Sequence, residues 1–130
     1  MSINATELIV DLLAHGHAVR FRAGGDSMHP IIRAEDYLHV QPTSEIRRGD
    51  VVLTLAHRGL TAHRVIDIAN ETLVTRGDNT RENDAPVDRT RILGIVTHAE
   101  RHGRKRRVRR ATTVALTLRR AFARAITALS

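Results

Sequence analysis

Short apolar runs separated by turn residues recur along most of this chain and restrict it to a mainly β fold. The turns are polar and rich in glycine, as at Arg47-Arg48-Gly49-Asp50 and Asn70-Glu71. Several short strands at regular spacing, with turn signals between them, are typical of a small all-β sheet or barrel. The predicted strands cover residues 19–23, 37–40, 51–55, 60–68, 72–75 and 92–97.

The N-terminal residues predict one short helix. Asn4 is a suitable N-cap, and Glu7 follows three residues later as in a capping box. Apolar residues then recur at helical spacing, and Gly16 is a plausible end. We therefore expect three regions: an N-terminal helix in 1–17, a β body in 18–100 and a basic tail in 101–130. The apolar residues of the helix are Leu8, Ile9, Leu12 and Leu13.

Charge is distributed unevenly between these regions. The first 100 residues hold 11 basic and 14 acidic residues, a net charge of −3, whereas residues 101–130 hold 10 basic and no acidic residues. Within the tail, 111–129 predicts a basic amphipathic helix. Such a helix can bind an anionic membrane surface or a partner protein, or it can pack on the body.

Composition excludes several classes of protein. The chain has no cysteine, so it has neither disulfides nor thiolate metal sites. No apolar run approaches the roughly 18 residues needed to span a bilayer. We expect a cytoplasmic protein, with peripheral contact at the inner membrane face through the tail, and no cofactor or metal. One tyrosine and two phenylalanines argue against a single-strand nucleic-acid binder that stacks bases on aromatic rings.

One stretch, Gly24-Gly25-Asp26-Ser27-Met28-His29-Pro30, predicts an exposed bend that carries a serine. The glycines allow positive φ, and Pro30 favours an extended conformation at the residue before it. Serine is a weak nucleophile until a neighbouring base removes its proton.

Candidates for that base are limited. The only lysine is Lys105, in the basic run, so a serine–lysine pair inside the β body is not available. Among eight histidines, His63 is favoured because it lies in an otherwise apolar strand; His57, in the adjacent turn, is the next candidate. The acidic cluster in 76–84 supplies carboxylates that can orient an imidazole.

Four segments in order resemble the successive boxes of the type I signal peptidase superfamily. They are Ser27-Met28-His29-Pro30, Gly49-Asp50-Val51-Val52, His63-Arg64-Val65-Ile66, and Gly77-Asp78-Asn79 with Asp84 beyond. Histidine stands at the position where bacterial members carry lysine, so the chain is similar to the archaeal and endoplasmic-reticulum branch, which uses serine, histidine and aspartate.

The resemblance implies a role for each matching residue. Ser27 is then the nucleophile, His63 the general base, Asp84 the acidic partner and Asp78 the supporting aspartate. The Ser27 N–H is the natural oxyanion donor, with Gly25 as a second donor and Met28 beside the substrate. Non-catalytic explanations exist for both aspartates. Asp78 follows Gly77 and suits a turn, and Asp84 precedes Ala85-Pro86 and can cap the turn there.

The predicted function is therefore a serine endopeptidase that cleaves a peptide or precursor protein. The family is normally anchored by an N-terminal membrane helix, which a short acid-bearing helix replaces here. This favours processing of a dedicated peptide, such as the leader of a modified peptide product. Two other hypotheses remain: a nucleic-acid-associated regulator with an SOS-repressor-like β domain, and a catalytically silent adaptor that docks a membrane or partner.

Overall fold

A computed structural model describes residues 4–56 and 59–111 of the chain. The described part holds one α-helix, α1 (Ala5–Ala14), one short 3₁₀ helix (Arg89–Arg91) and eight strands. His57 and the predicted C-terminal helix beyond Ala111 lie outside the described residues. The strands are β1 (Val19–Arg22), β2 (Tyr37–Gln41), β3 (Val51–Ala56), β4 (Gly59–Ala69), β5 (Thr72–Arg76), β6 (Val87–Asp88), β7 (Ile92–Arg101) and β8 (Arg104–Arg107).

The predicted mainly β fold is confirmed, and so is the N-terminal helix. Asn4 caps α1 because its side chain accepts a hydrogen bond from the Glu7 N–H at 2.8 Å. Only part of the predicted apolar stripe is buried: Leu13 is 3% exposed, whereas Leu8 is 49% exposed. Within the described residues, no helix combines the length and apolar character needed to cross a bilayer.

All strands belong to one antiparallel sheet in the order β1-β2-β7-β3-β4-β5-β6, and β8 pairs with the far end of β7. β3 lies in the middle of this order, and its first four residues are buried. Strands that are covered on both faces are apolar throughout, which explains the unbroken Val51-Val52-Leu53 run.

The sheet extends past residue 100, where the sequence predicted that the basic tail begins. β7 continues to Arg101, and β8 returns beside it with Arg101 paired to Arg104. The two-residue turn between them has positive φ at both His102 (51°) and Gly103 (75°). A turn of this kind matches the twist of a two-stranded hairpin. Four basic residues therefore form a strand although their sequence has no alternation of apolar and polar residues.

Two groups of buried residues form the core. The larger joins the sheet to α1 and to the segment after β1, and it includes Leu13, Met28, Ile32, Leu38 and Leu53. The smaller lies around β3, β4 and β5 and consists of Ile46, Val52, Val65 and Leu73. The larger group anchors the serine-bearing bend, because Met28 directly follows Ser27.

A buried carboxylate holds the segment that connects this bend to β2. Asp36 is 2% exposed and accepts two hydrogen bonds of 2.8 Å from Arg101. It also accepts the Arg33 N–H at 2.9 Å. Burial alone raises the pKa of Asp36, but the hydrogen bonds and charge of Arg101 and the Arg33 N–H outweigh it, so the pKa lies below its ordinary value of 3.8.

We predict that Asp36→Asn lowers the free energy of unfolding at neutral pH by about 1–3 kcal/mol, because hydrogen bonds to a charged group are lost. The difference from wild type is expected to be full above pH 3.8, the ordinary pKa, and to vanish as the pH falls through the lower native pKa. Urea denaturation across this pH range measures it. A difference that stays constant into strong acid would contradict the role of the carboxylate charge.

Candidate active site

Ser27 lies in the loop that leaves β1, called here the Ser27 loop (residues 24–30). Gly25 in this loop adopts a φ of +74°, a conformation that glycine takes without strain. The Ser27 backbone is held on both sides: its carbonyl accepts the Asn79 N–H at 2.8 Å, and Met28 is buried at 3% exposure. The hydroxyl therefore projects from a fixed backbone position.

His63 lies on β4, opposite Val52 of β3 in the ladder. Its side chain is 11% exposed, and Nε2 lies 3.0 Å from Ser27 Oγ. A buried strand restricts the ring to a narrow range of orientations, so the base is positioned by the sheet and not by a loop.

Asp84 completes the row of hydrogen bonds. Its Oδ2 atom lies 2.5 Å from His63 Nδ1. An ionised carboxylate can only accept, so Nδ1 carries the proton, and Nε2 of the neutral ring is left to accept the Ser27 O–H. The arrangement Ser27–His63–Asp84 thus has the tautomer that a general base requires.

Thr75, at 4% exposure on β5, orients the carboxylate. Its hydroxyl donates to the same Oδ2 atom at 2.8 Å, and its carbonyl accepts the Asp84 N–H at 2.8 Å. Partial burial raises the pKa of Asp84, but hydrogen bonds from His63 and Thr75 and the positive charge that His63 can carry outweigh it. The pKa of Asp84 is therefore lowered, which keeps it ionised at neutral pH.

The hydrogen-bond partners of the His63 ring are Ser27 and Asp84, and Asp78 pairs with Arg64 instead. It accepts two hydrogen bonds from Arg64, Nε to Oδ1 at 2.9 Å and Nη2 to Oδ2 at 2.8 Å, and both side chains are almost fully buried. Asp84, and not Asp78, is therefore the carboxylate that orients the imidazole. Asp78 instead fixes the loop that carries Asp84, called here the Asp78 loop (residues 77–84).

Arg64 is a supporting residue to which the sequence reasoning gave no role. Besides Asp78, its Nη1 atom donates to the carbonyls of Gly49 at 2.7 Å and Arg109 at 3.1 Å. The sequence did contain one signal for this role, because Arg64 is a basic residue in an otherwise apolar strand. An arginine that is buried in such a strand needs several hydrogen-bond acceptors around it. Thr75 gave no comparable signal, because threonine is common on strands.

Direct backbone contact joins the Ser27 and Asp78 loops. A Cβ atom added at Gly77 would lie 2.5 Å from the Ser27 carbonyl oxygen and 3.1 Å from His63 Nε2. The Asn79 side chain also donates to the Asp26 carbonyl at 3.2 Å. The loops approach this closely only because residue 77 has no side chain.

A cleft of about 470 Å³ opens beside Ser27 and His63. Its walls come mainly from the end of β1 with the Ser27 loop and from the start of β4, and they include Ala23, Leu53 and Ala62. Met28 also lines the cleft, although its main contacts are with the core. The Ser27 N–H donates to no other described residue, and the space beside Gly25 is open. This geometry leaves the Ser27 N–H available to a developing oxyanion.

Comparison with known proteins assigns the chain to a family. Residues 3–97 match the family described as Peptidase S24-like. The chain belongs to the Peptidase S24-like family. A search of curated proteins gave no match. Both a peptidase and a repressor of the SOS type are consistent with the Peptidase S24-like family and its mainly β fold, and the match does not single out the signal peptidase branch.

We predict that Gly77→Ala destabilises the fold by about 1–3 kcal/mol, because the new methyl group has no space between the Ser27 carbonyl and the His63 ring. Gly24→Ala is the matched control in the adjoining loop, since no atom lies within 4 Å of its added Cβ. Urea denaturation of both variants tests this. Equal stability of the two variants would contradict the close contact between the loops.

Proposed function

We propose that this chain is a serine endopeptidase that cleaves a peptide or precursor protein by acyl transfer to Ser27. The observation that carries the proposal is the continuous hydrogen-bonded row from Ser27 Oγ through His63 to Asp84. A serine within hydrogen-bonding distance of a base, itself oriented by a third group, is the arrangement that activates a hydroxyl nucleophile.

The mechanism follows from this row. Ser27 Oγ attacks the scissile carbonyl carbon while His63 Nε2 takes the hydroxyl proton, and the Ser27 N–H stabilises the oxyanion. His63 then gives the proton to the leaving amine, and the acyl-enzyme remains. A water molecule, deprotonated by His63, hydrolyses the ester and returns Ser27 to its starting state. Asp84 stabilises the imidazolium ion in both stages.

An extended peptide is the substrate that fits the cleft best. The cleft runs between the end of β1 and the start of β4, and strand edges bind extended peptides through main-chain hydrogen bonds. Its walls are largely apolar, and Ala23 and Ala62 beside Ser27 and His63 are among their smallest side chains. Together with the resemblance to the Ser/His/Asp signal peptidases, this favours small residues before the cleaved bond.

The base distinguishes this proposal from a regulatory function. The Peptidase S24-like family fits a self-cleaving regulator of the SOS-repressor type as well, but those domains use lysine as base. Here the base beside Ser27 is His63, and it is paired with a carboxylate. We therefore favour cleavage of a separate substrate, such as the leader of a modified peptide product, over self-cleavage.

Cleavage in trans is the direct test. We expect purified protein to cut a mixture of short precursor peptides at discrete sites, at a rate proportional to enzyme concentration. Ser27→Ala should lower kcat by about 10⁴-fold or more while the protein remains folded. Cleavage that persists in Ser27→Ala, or a chain that cuts only itself at a concentration-independent rate, would overturn the proposal.

Matched substitutions separate the two aspartates. Asp84→Asn should lower kcat by about 10⁴-fold with little change in the free energy of unfolding, because the amide no longer enforces the Nδ1–H tautomer. Asp78→Asn should mainly destabilise the fold, by about 3–5 kcal/mol, because it leaves Arg64 buried without its charge partner. Steady-state kinetics and urea denaturation measure both effects. If both variants are fully folded and lose kcat equally, the assignment of Asp84 as the carboxylate that orients His63 is contradicted.

A further inference from the structure

A row of exposed cations lies along β8. Arg104, Lys105, Arg106 and Arg107 are all exposed. Within the described residues, the side chains of Arg104, Lys105 and Arg107 take part in no hydrogen bond or ion pair, and β8 pairs with no strand other than β7. One edge of β8 therefore offers free backbone N–H and C=O groups beside four positive charges. Negative side chains in an extended conformation complement such an edge.

This edge lies close to the candidate active site. The Arg106 guanidinium is 3.5 Å from the Ile31 carbonyl oxygen, and Ile31 is only four residues after Ser27. Four residues span at most about 14 Å. A shallow pocket of about 310 Å³, lined in part by Ile31, Arg33 and Arg107, also lies here. A peptide of modest length can therefore occupy both the cleft and this edge.

We infer that the open edge of β8 binds an acidic, extended segment of the peptide substrate, as an added strand outside the cleft. This inference rests on the proposed function and names the charge class of its substrate. Main-chain hydrogen bonds would hold the segment in register, and its carboxylates would pair with the β8 cations. Alternate residues of a strand point to opposite faces, so acidic side chains on either face of the segment meet a cation.

The alternation also favours a peptide over a planar anionic surface. Arg104 and Arg106 project to one face of β8, and Lys105 and Arg107 project to the other. A flat bilayer or a rigid duplex meets only one of these faces. An added strand meets both, because its own side chains alternate in the same way.

Binding can be tested apart from catalysis with the Ser27→Ala protein. The probes are a fluorescent extended peptide with a central run of glutamates and the same peptide with glutamines in their place. We expect the acidic peptide to bind at least about tenfold more tightly and to lose affinity as salt rises. Methylation of every second backbone nitrogen of the peptide should abolish binding when the methylated nitrogens face β8. Methylation of the other set, which faces away from β8, should leave binding intact. Equal binding of the two peptides, binding that survives methylation in both registers, or stronger binding to anionic vesicles or duplex DNA would overturn the inference.

A charge-reversed variant locates the binding edge. Arg104→Glu with Arg107→Glu keeps β8 in place, because the new carboxylates lie opposite Arg101 and His98 in the ladder. The control is Arg47→Glu with Arg91→Glu, the same change of net charge at two exposed positions outside β8. We expect about a tenfold loss of affinity for the acidic peptide in the β8 variant and none in the control. Equal losses in both would show that only net charge matters and would contradict the inference.

Kinetics then separate this inference from the proposed function. In the active protein, the β8 variant should raise KM for a substrate with an acidic flank about tenfold, leave kcat unchanged and leave cleavage of a neutral-flanked substrate unchanged. Cleavage of both substrates with equal KM would refute the acidic edge and retain the peptidase. If neither substrate is cut while the acidic peptide still binds, the proposed function fails instead.

Discussion

The buried ion pair between Arg64 and Asp78 supports the whole candidate site. His63 and Arg64 are neighbours on β4, so their side chains leave the strand on opposite faces. The imidazole lies beside Ser27 and Asp84, and the Arg64 side chain binds Asp78, so the two neighbours hold the Asp78 loop at two different points. Both partners of the pair are almost fully buried. Loss of either charge would leave the other unpaired in the interior, which is far more costly than the loss of a surface salt bridge.

The same arginine connects the site to the basic segment after β8. Arg64 donates to the Arg109 carbonyl, the Ala111 N–H donates to Gly49 at 3.1 Å, and Arg110 donates to the buried Asp50 carboxylate at 2.8 Å. Glycine is required at position 49, because an added Cβ would lie 2.5 Å from the Ala111 carbonyl oxygen. Residues beyond the family match at 3–97 are therefore part of the support of β4, and this basic segment is more than a solvated extension.

The sequence predicted most of the fold because short apolar runs, turn residues and a helix cap are local signals. The strands around 51–56 and 59–69 follow from the apolar runs and the turns between them, and α1 follows from its cap and its helical spacing. The ordered resemblance proposed Ser27, His63 and Asp84 as the site, and the structure brings these three side chains within hydrogen-bonding distance. The choice between Asp84 and Asp78 depended on side-chain direction, which spacing does not encode. β8 was missed because its pairing comes from the tight hairpin at 102–103 and not from any apolar pattern in Arg-Lys-Arg-Arg. The buried contacts of Arg64 and Thr75 were missed because they depend on tertiary neighbours.

The central claim is that His63 and Asp84 activate the Ser27 hydroxyl, and labelling with a fluorophosphonate tests it most directly. Such a probe reacts with a serine only when a neighbouring base removes its proton. Mass spectrometry of the digested protein should find one adduct, on Ser27, with the labelling rate greatly reduced in His63→Ala and Asp84→Asn. No adduct on Ser27, or a labelling rate independent of His63, would contradict the account.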